Sequence, residues 1–183
     1  MGHIKKEWHM KVKDLTKTAL LAAAICILAP WTLPMGVLPM TLGSLAVSLA
    51  GGIGGAKRGT AAVAIYILLG TVGLPVFSGF IGGAQTLFGI TGGFIFGYVS
   101  LCLSVGLICD KKPTFLGCLL GNAIGYTIMY LIGAGWYCFV ANVSFVSALA
   151  VCVLPFVLSD IFKILVSCAI IPRMKRALDK RIN

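Results

Sequence analysis

Asp160 and Lys163 are the only charged side chains between Lys112 and Arg173, and they sit within a long apolar segment, V-L-P-F-V-L-S-D-I-F-K-I-L-V. A carboxylate and an ammonium three residues apart share one face of a helix. Charge inside a membrane is costly and usually lines a cavity with work to do, so the pair predicts a ligand site on the last helix. The competing reading is an ion pair that only locks helix packing, since a buried pair is weak evidence of stabilisation by itself.

The elements that must position this pair follow from composition. Of 183 residues, 59% are hydrophobic and 11% charged, and the uncharged runs exceed the ~20 residues needed to span a bilayer core of about 30 Å. This predicts an all-α integral membrane protein with six transmembrane helices, at about residues 15–31, 42–56, 59–72, 91–109, 114–134 and 146–171. Residues 15–175 form the membrane domain, flanked by basic tails at 1–14 and 176–183. The first apolar segment, Leu15 to Leu33, reads as a retained span, because a lysine-rich start precedes it and further spans follow.

With six spans, both termini and the even connections share a face. That face carries Lys5, Lys6, Lys11, Lys13, Lys17, Lys57, Arg58, Lys111, Lys112, Arg173, Lys175, Arg176, Lys180 and Arg181, every one of the 15 basic residues except Lys163. By the positive-inside rule it is cytoplasmic. The opposite connections, 32–41, 73–90 and 135–145, carry no charge and are apolar and turn-rich. Such backbone belongs over a buried cavity, so these external loops are expected to cap the ligand site. Asp160 lies twelve residues before Pro172, roughly 18 Å above the inner end of the last helix, so the cavity opens outward. Pro155, five residues before Asp160, is expected to kink that helix.

Other features yield to plainer explanations. Four-residue spacings of small residues (Ala19 and Ala23, Gly51 and Gly55, Gly79 and Gly83, Gly89 to Gly97, Gly121 and Gly125) read as helix-packing seams. The exception is the first helix, where Ala19, Ala22 and Ala23 make a smooth surface suited to docking a partner. G-G-I-G-G-A-K-R at Gly51 to Arg58 lacks the Lys-Ser/Thr pair and nucleotide fold of a phosphate loop, and reads as a tight turn. The seven cysteines contain no C-x-x-C, and both histidines, His3 and His9, lie in the first tail. Neither a metal site nor a resident cofactor is expected, nor His-dependent catalysis. The net charge of +10 flanks spans instead of forming a nucleic-acid surface, and suits anionic lipid.

Several motifs resemble one family jointly. G-L-P-V-F-S-G at Gly73 to Gly79, Gly82 and Gly83, T-G-G-F at Thr91 to Phe94 with Gly97, G-N at Gly121 and Asn122, the Tyr130, Gly133, Trp136 spacing, and P-F-x-x-x-D-x-x-K from Pro155 to Lys163 are similar to the biotin-specific S components (BioY family) of energy-coupling factor transporters. The resemblance covers about residues 15–175, with one departure: Ile90 stands where proline is expected. It implies a bacterial plasma-membrane protein that captures biotin outside the cell. It also implies partners: a transmembrane coupling subunit, docked through the alanine face, and two cytoplasmic ATPase subunits. On this resemblance Asp160 accepts from the ureido N–H groups of biotin, and Lys163 donates to the ureido oxygen or the carboxylate. Phe77, Tyr130 and Trp136 supply apolar walls, and Ser78, Gln85, Thr91 or Asn122 the remaining hydrogen bonds. The loop 80–90 has no basic residue, so the contact to the ligand carboxylate stays unassigned.

Two other classes remain open. One is an S component for a different small vitamin such as thiamine or riboflavin. The other is a stand-alone carrier using Asp160 for a proton or cation, although no inverted repeat is evident. An intramembrane enzyme would need a nucleophile and base that the spans do not offer.

Overall fold

The structure, a computed structural model, describes residues 2–35 and 38–180, with side chains over 12–33 and 38–178. The side chains of Lys5, Lys6, Lys11, Lys180 and Arg181, assigned above to the basic face, and of His3 and His9 lie outside the described residues.

Helix α1 runs Gly2–Leu28, beginning upstream of the expected span. The first external connection is a β-hairpin, a departure from an all-α fold: β1 (Thr32–Met35) pairs antiparallel with β2 (Leu38–Thr41), Thr32 opposite Thr41 and Pro34 opposite Pro39. Proline lacks an amide and is disfavoured in helix interiors, but a two-stranded ribbon has only edges and tolerates it.

The next element, α2 (Gly43–Val72), is one helix by range and two by shape. Gly55 adopts φ 77° and ψ 173°, and the chain doubles back there. A Cβ on Gly59 would sit 2.8 Å from both the Ala50 carbonyl oxygen and the Gly51 Cα, residues a continuous helix would hold about 12 Å away. The two expected spans at 42–56 and 59–72 thus form a helical hairpin whose turn requires the left-handed freedom of glycine.

A loop follows, containing the short α3 (Ala84–Phe88). Then come α4 (Gly92–Lys111) and α5 (Phe115–Ala141), capped at its start by the Thr114 hydroxyl, which accepts from the Gly117 amide at 3.2 Å. Helix α5 continues seven residues past the expected end at 134, so Trp136 lies on a helix and not in a loop. Asn142 ends it in the left-handed conformation, φ 57°. The expected last helix is divided into α6 (Phe145–Cys152) and α7 (Leu154–Lys180). Pro155 therefore occupies the first turn of α7, where a missing amide leaves no helical bond unmade, instead of kinking a helix from within.

Of these, α4, α5 and residues Leu154–Leu178 of α7 are long and apolar enough to cross a membrane. Lipid supplies little hydrophobic drive between helices, so close backbone approach must hold them. Glycine seams provide it: a methyl on Gly51 would overlap the Cys102 carbonyl, and one on Gly106 would come within 2.6 Å of Ala56. Gly97 and Gly125 similarly seat Met129 and Leu101 between α4 and α5.

The basic end is drawn together by one carboxylate. Asp110, at the end of α4, accepts from the Ala56 amide at the Gly55 turn (3.1 Å) and from Lys175 Nζ of α7 (2.8 Å). Lys175 also donates to the Cys109 carbonyl at 2.9 Å, and Arg58 pairs with Asp14 of α1 at 2.7 Å.

A buried cleft and the family it marks

The cleft is built from its floor upward. One turn of α7 separates Asp160 from Lys163, and Lys163 Nζ donates to Asp160 Oδ1 at 2.7 Å. The Tyr130 hydroxyl of α5 donates to the other carboxylate oxygen. Ser44, in the first turn of α2, accepts a second bond from Lys163 at 3.3 Å. Asp160 and Lys163 are 6% and 5% exposed, so a neutral pair of charges is held almost wholly out of solvent. Burying such a pair is expensive unless its remaining valences are satisfied, and here hydroxyls from two other helices do so.

Above this floor lies a cleft with an empty volume of about 570 Å³, including the part open to solvent. Its walls come from Leu38, Pro39 and Thr41 of the hairpin, from Phe94, Ile95 and Tyr98 of α4, and from Met129 and Phe156. Tyr98 is fixed by a 3.1 Å hydrogen bond between its hydroxyl and that of Thr41, which also accepts from the Gly43 amide at 2.9 Å. At the loop side the half-buried hydroxyls of Ser78 and Thr91 line the cleft, so it opens there. The arrangement suits a small molecule with an apolar body and a compact polar head carrying both N–H donors and an oxygen acceptor. Asp160 is also reached from behind, where Tyr126, Tyr130 and Ile164 border a crevice between α5 and α7 and the buried Tyr126 hydroxyl has no hydrogen-bond partner among the described residues.

Of the residues expected at the site, Asp160, Lys163, Tyr130, Ser78 and Thr91 line the cleft together. The other four sit elsewhere. Asn122 is fully buried in the helix core, where Ser48 donates to its Oδ1 at 2.6 Å and its own amide donates to the Cys118 carbonyl at 2.8 Å. Phe77 packs edge-on against Tyr66, over Gly70, and anchors the 73–91 loop while its neighbour Ser78 faces the cleft. Trp136 covers Gly93 and donates to the Gly89 carbonyl at 2.9 Å, clamping the same loop to α5. Gln85 lies exposed on α3. Thr41, Ser44 and Tyr98 were not expected. Tyr98 was recoverable, because it stands seven residues after Thr91 and so on the same face of α4.

The supposed docking face also needs one correction. Ala19 and Ala23 are exposed on α1, but Ala22 is 3% exposed and packs into the core, and Ala24 takes its place beside Leu20 and Ile27 on the outer surface.

Residues 4–180 match the model of the BioY family. The chain belongs to that family. The biotin transporter BioY of Thermotoga maritima is 38% identical over 168 residues, 90% of this chain and 97% of that protein. Biotin transporter BioY2 of Lactococcus lactis is 37% identical over 155 residues, 84% of this chain and 85% of its own length. Among solved structures, the S-component for biotin from an ECF-type ABC transporter superposes with a TM-score of 0.84 at 29% identity, covering 92% of this chain and 93% of that one.

Proposed function

We propose that this chain is a biotin-capturing S component of the bacterial plasma membrane, delivering its ligand through an ATP-driven energy-coupling factor transporter. The observation that carries the reading is the Asp160, Lys163 and Tyr130 cluster at the floor of an apolar-walled cleft in a member of this family. Biotin has the complementary groups: a ureido ring with two N–H donors and one carbonyl, an apolar thiophane ring, and a valerate tail. Asp160 accepts from one ureido N–H group, with Tyr130 rearranging to admit it, and Lys163 and Ser44 donate to the neighbouring ureido oxygen. Phe94, Met129 and Phe156 surround the thiophane ring.

Six spans follow if the two legs of α2 count separately with α1, α4, α5 and α7, which puts both termini and the basic turns on the cytoplasmic side. The gathering of Asp14, Arg58, Ala56, Asp110 and Lys175 at one end of the molecule supports that partition. The hairpin and the 73–91 loop then cap the outer end, joined where the Gly79 amide donates to the Pro30 carbonyl at 3.0 Å. Ala19 and Ala23 offer a transmembrane coupling subunit a smooth surface, and ATP hydrolysis belongs to two separate cytoplasmic subunits. A proton or cation carrier is disfavoured, because Lys163 already occupies the space beside Asp160 that a transported cation would need.

Calorimetric titration of the purified chain with biotin, thiamine and riboflavin tests the reading. Biotin alone is expected to bind, at about one per chain. Folded protein that binds none of them, or prefers another vitamin, contradicts it.

A further inference from the structure

The cleft treats the two ends of a biotin-like ligand differently. Its floor holds one cation and one anion in contact, Lys163 and Asp160, both more than nine-tenths buried. A ligand carboxylate placed there would set two negative charges against one positive, where both side chains are almost wholly out of solvent, and the uncompensated charge would drive the ligand out. The carboxylate end therefore faces the mouth.

At the mouth no cation waits for it. The sequence has no Lys, Arg or His between Lys17 and Lys57, between Arg58 and Lys111, or between Lys112 and Lys163. Helix α4 begins beside the cleft at Thr91 and reaches Lys111 only after 20 residues, about 30 Å away. Among the described residues, the polar side chains lining the cleft at this end are the hydroxyls of Ser78, Thr91 and Thr41. A hydroxyl can donate to a neutral amide carbonyl as well as to a carboxylate oxygen, and without a cation beside it the preference for the carboxylate is modest. Beside them the Trp31 and Phe80 rings, 5.9 Å apart edge to face and both well exposed, continue an uncharged outer surface.

We infer that this protein reads the ureido-thiophane head of biotin and not its carboxylate, so biotin whose carboxyl is tied up as an amide, including to the side-chain amine of lysine, is also a ligand. This rests on the biotin reading above and extends it to a ligand class, neutral biotin conjugates released by breakdown of biotinylated protein. The head fills the cleft, and the amide-extended tail leaves through the mouth between the hairpin and the 73–91 loop.

The magnitudes separate the alternatives. The N-terminus of α4 can favour a nearby carboxylate by at most about fivefold at an exposed site. A dedicated charge-assisted contact would favour it by about tenfold to a hundredfold or more.

The test is a titration of the full-length purified chain with biotin, with its primary amide, which has nearly the same shape, and with the lysine conjugate. The inference expects the primary amide to bind within about tenfold of biotin, and the lysine conjugate to compete for the same site. Biotin binding tightly while the primary amide is weaker by more than about tenfold overturns the inference and leaves the biotin reading standing. If neither biotin nor the amide binds folded protein, the biotin reading fails and this inference falls with it.

Discussion

Two aspartates in this molecule make nearly the same contacts to opposite ends. Asp110 pairs with Lys175 at 2.8 Å and gives its second oxygen to the Ala56 backbone amide. Asp160 pairs with Lys163 at 2.7 Å and gives its second oxygen to the Tyr130 hydroxyl. The partners differ in what could replace them. A backbone amide in a glycine-built turn cannot swing away, so Asp110 fastens three elements, whereas a tyrosine hydroxyl on the wall of a cleft can yield to a ligand. Exposure differs too: the Asp110 side chain is 47% exposed and that of Asp160 8%. An ion pair by itself is therefore not a site; it is at the buried pair, with an exchangeable partner and space above it, that we propose one.

The contrast can be broken in graded ways. The largest effect is expected from Asp160→Asn, which removes the charge that accepts from the ureido N–H and holds Lys163 for the ureido oxygen, and should weaken biotin binding by about a hundredfold or more. It also leaves Lys163 buried without its counter-ion, a loss of about 3–5 kcal/mol of stability, so the double variant Asp160→Leu with Lys163→Met serves as a folded control that should bind no biotin. Next comes Tyr130→Phe, which keeps the ring and removes a donor to the carboxylate; about a tenfold change in biotin affinity is expected by titration. Asp110→Ala should lower thermal stability by about 1–2 kcal/mol while leaving biotin affinity within about twofold. Smallest is Gln85→Ala, expected to change neither quantity measurably, because the side chain is exposed on α3 away from the cleft.

Asp160 and Lys163 were legible in the sequence because charge in an apolar run has few bland explanations, and the helix spacing that joins them is local. The Gly55 turn was legible too, through glycines beside Lys57 and Arg58. Asn122, Phe77 and Trp136 misled for a common reason. Each is a distinctive residue in a motif, but its partners, Ser48, Tyr66 with Gly70, and Gly89 with Gly93, lie on other elements, so only the tertiary fold shows that it holds the scaffold. Thr41, Ser44 and Tyr98 escaped in the opposite sense: ordinary hydroxyls gain meaning only when three segments converge. The hairpin at 32–41 was hidden because proline, which argues against an internal strand, says little about a ribbon made of edges.

The two aspartates also define the most direct measurement: biotin titrated into the parent chain, Asp160→Asn and Asp110→Asn, each checked for folding by thermal unfolding. The account predicts that Asp110→Asn binds like the parent and Asp160→Asn loses affinity by about a hundredfold. Equal affinity of Asp160→Asn and the parent would contradict it, and would place the biotin site away from the floor of this cleft.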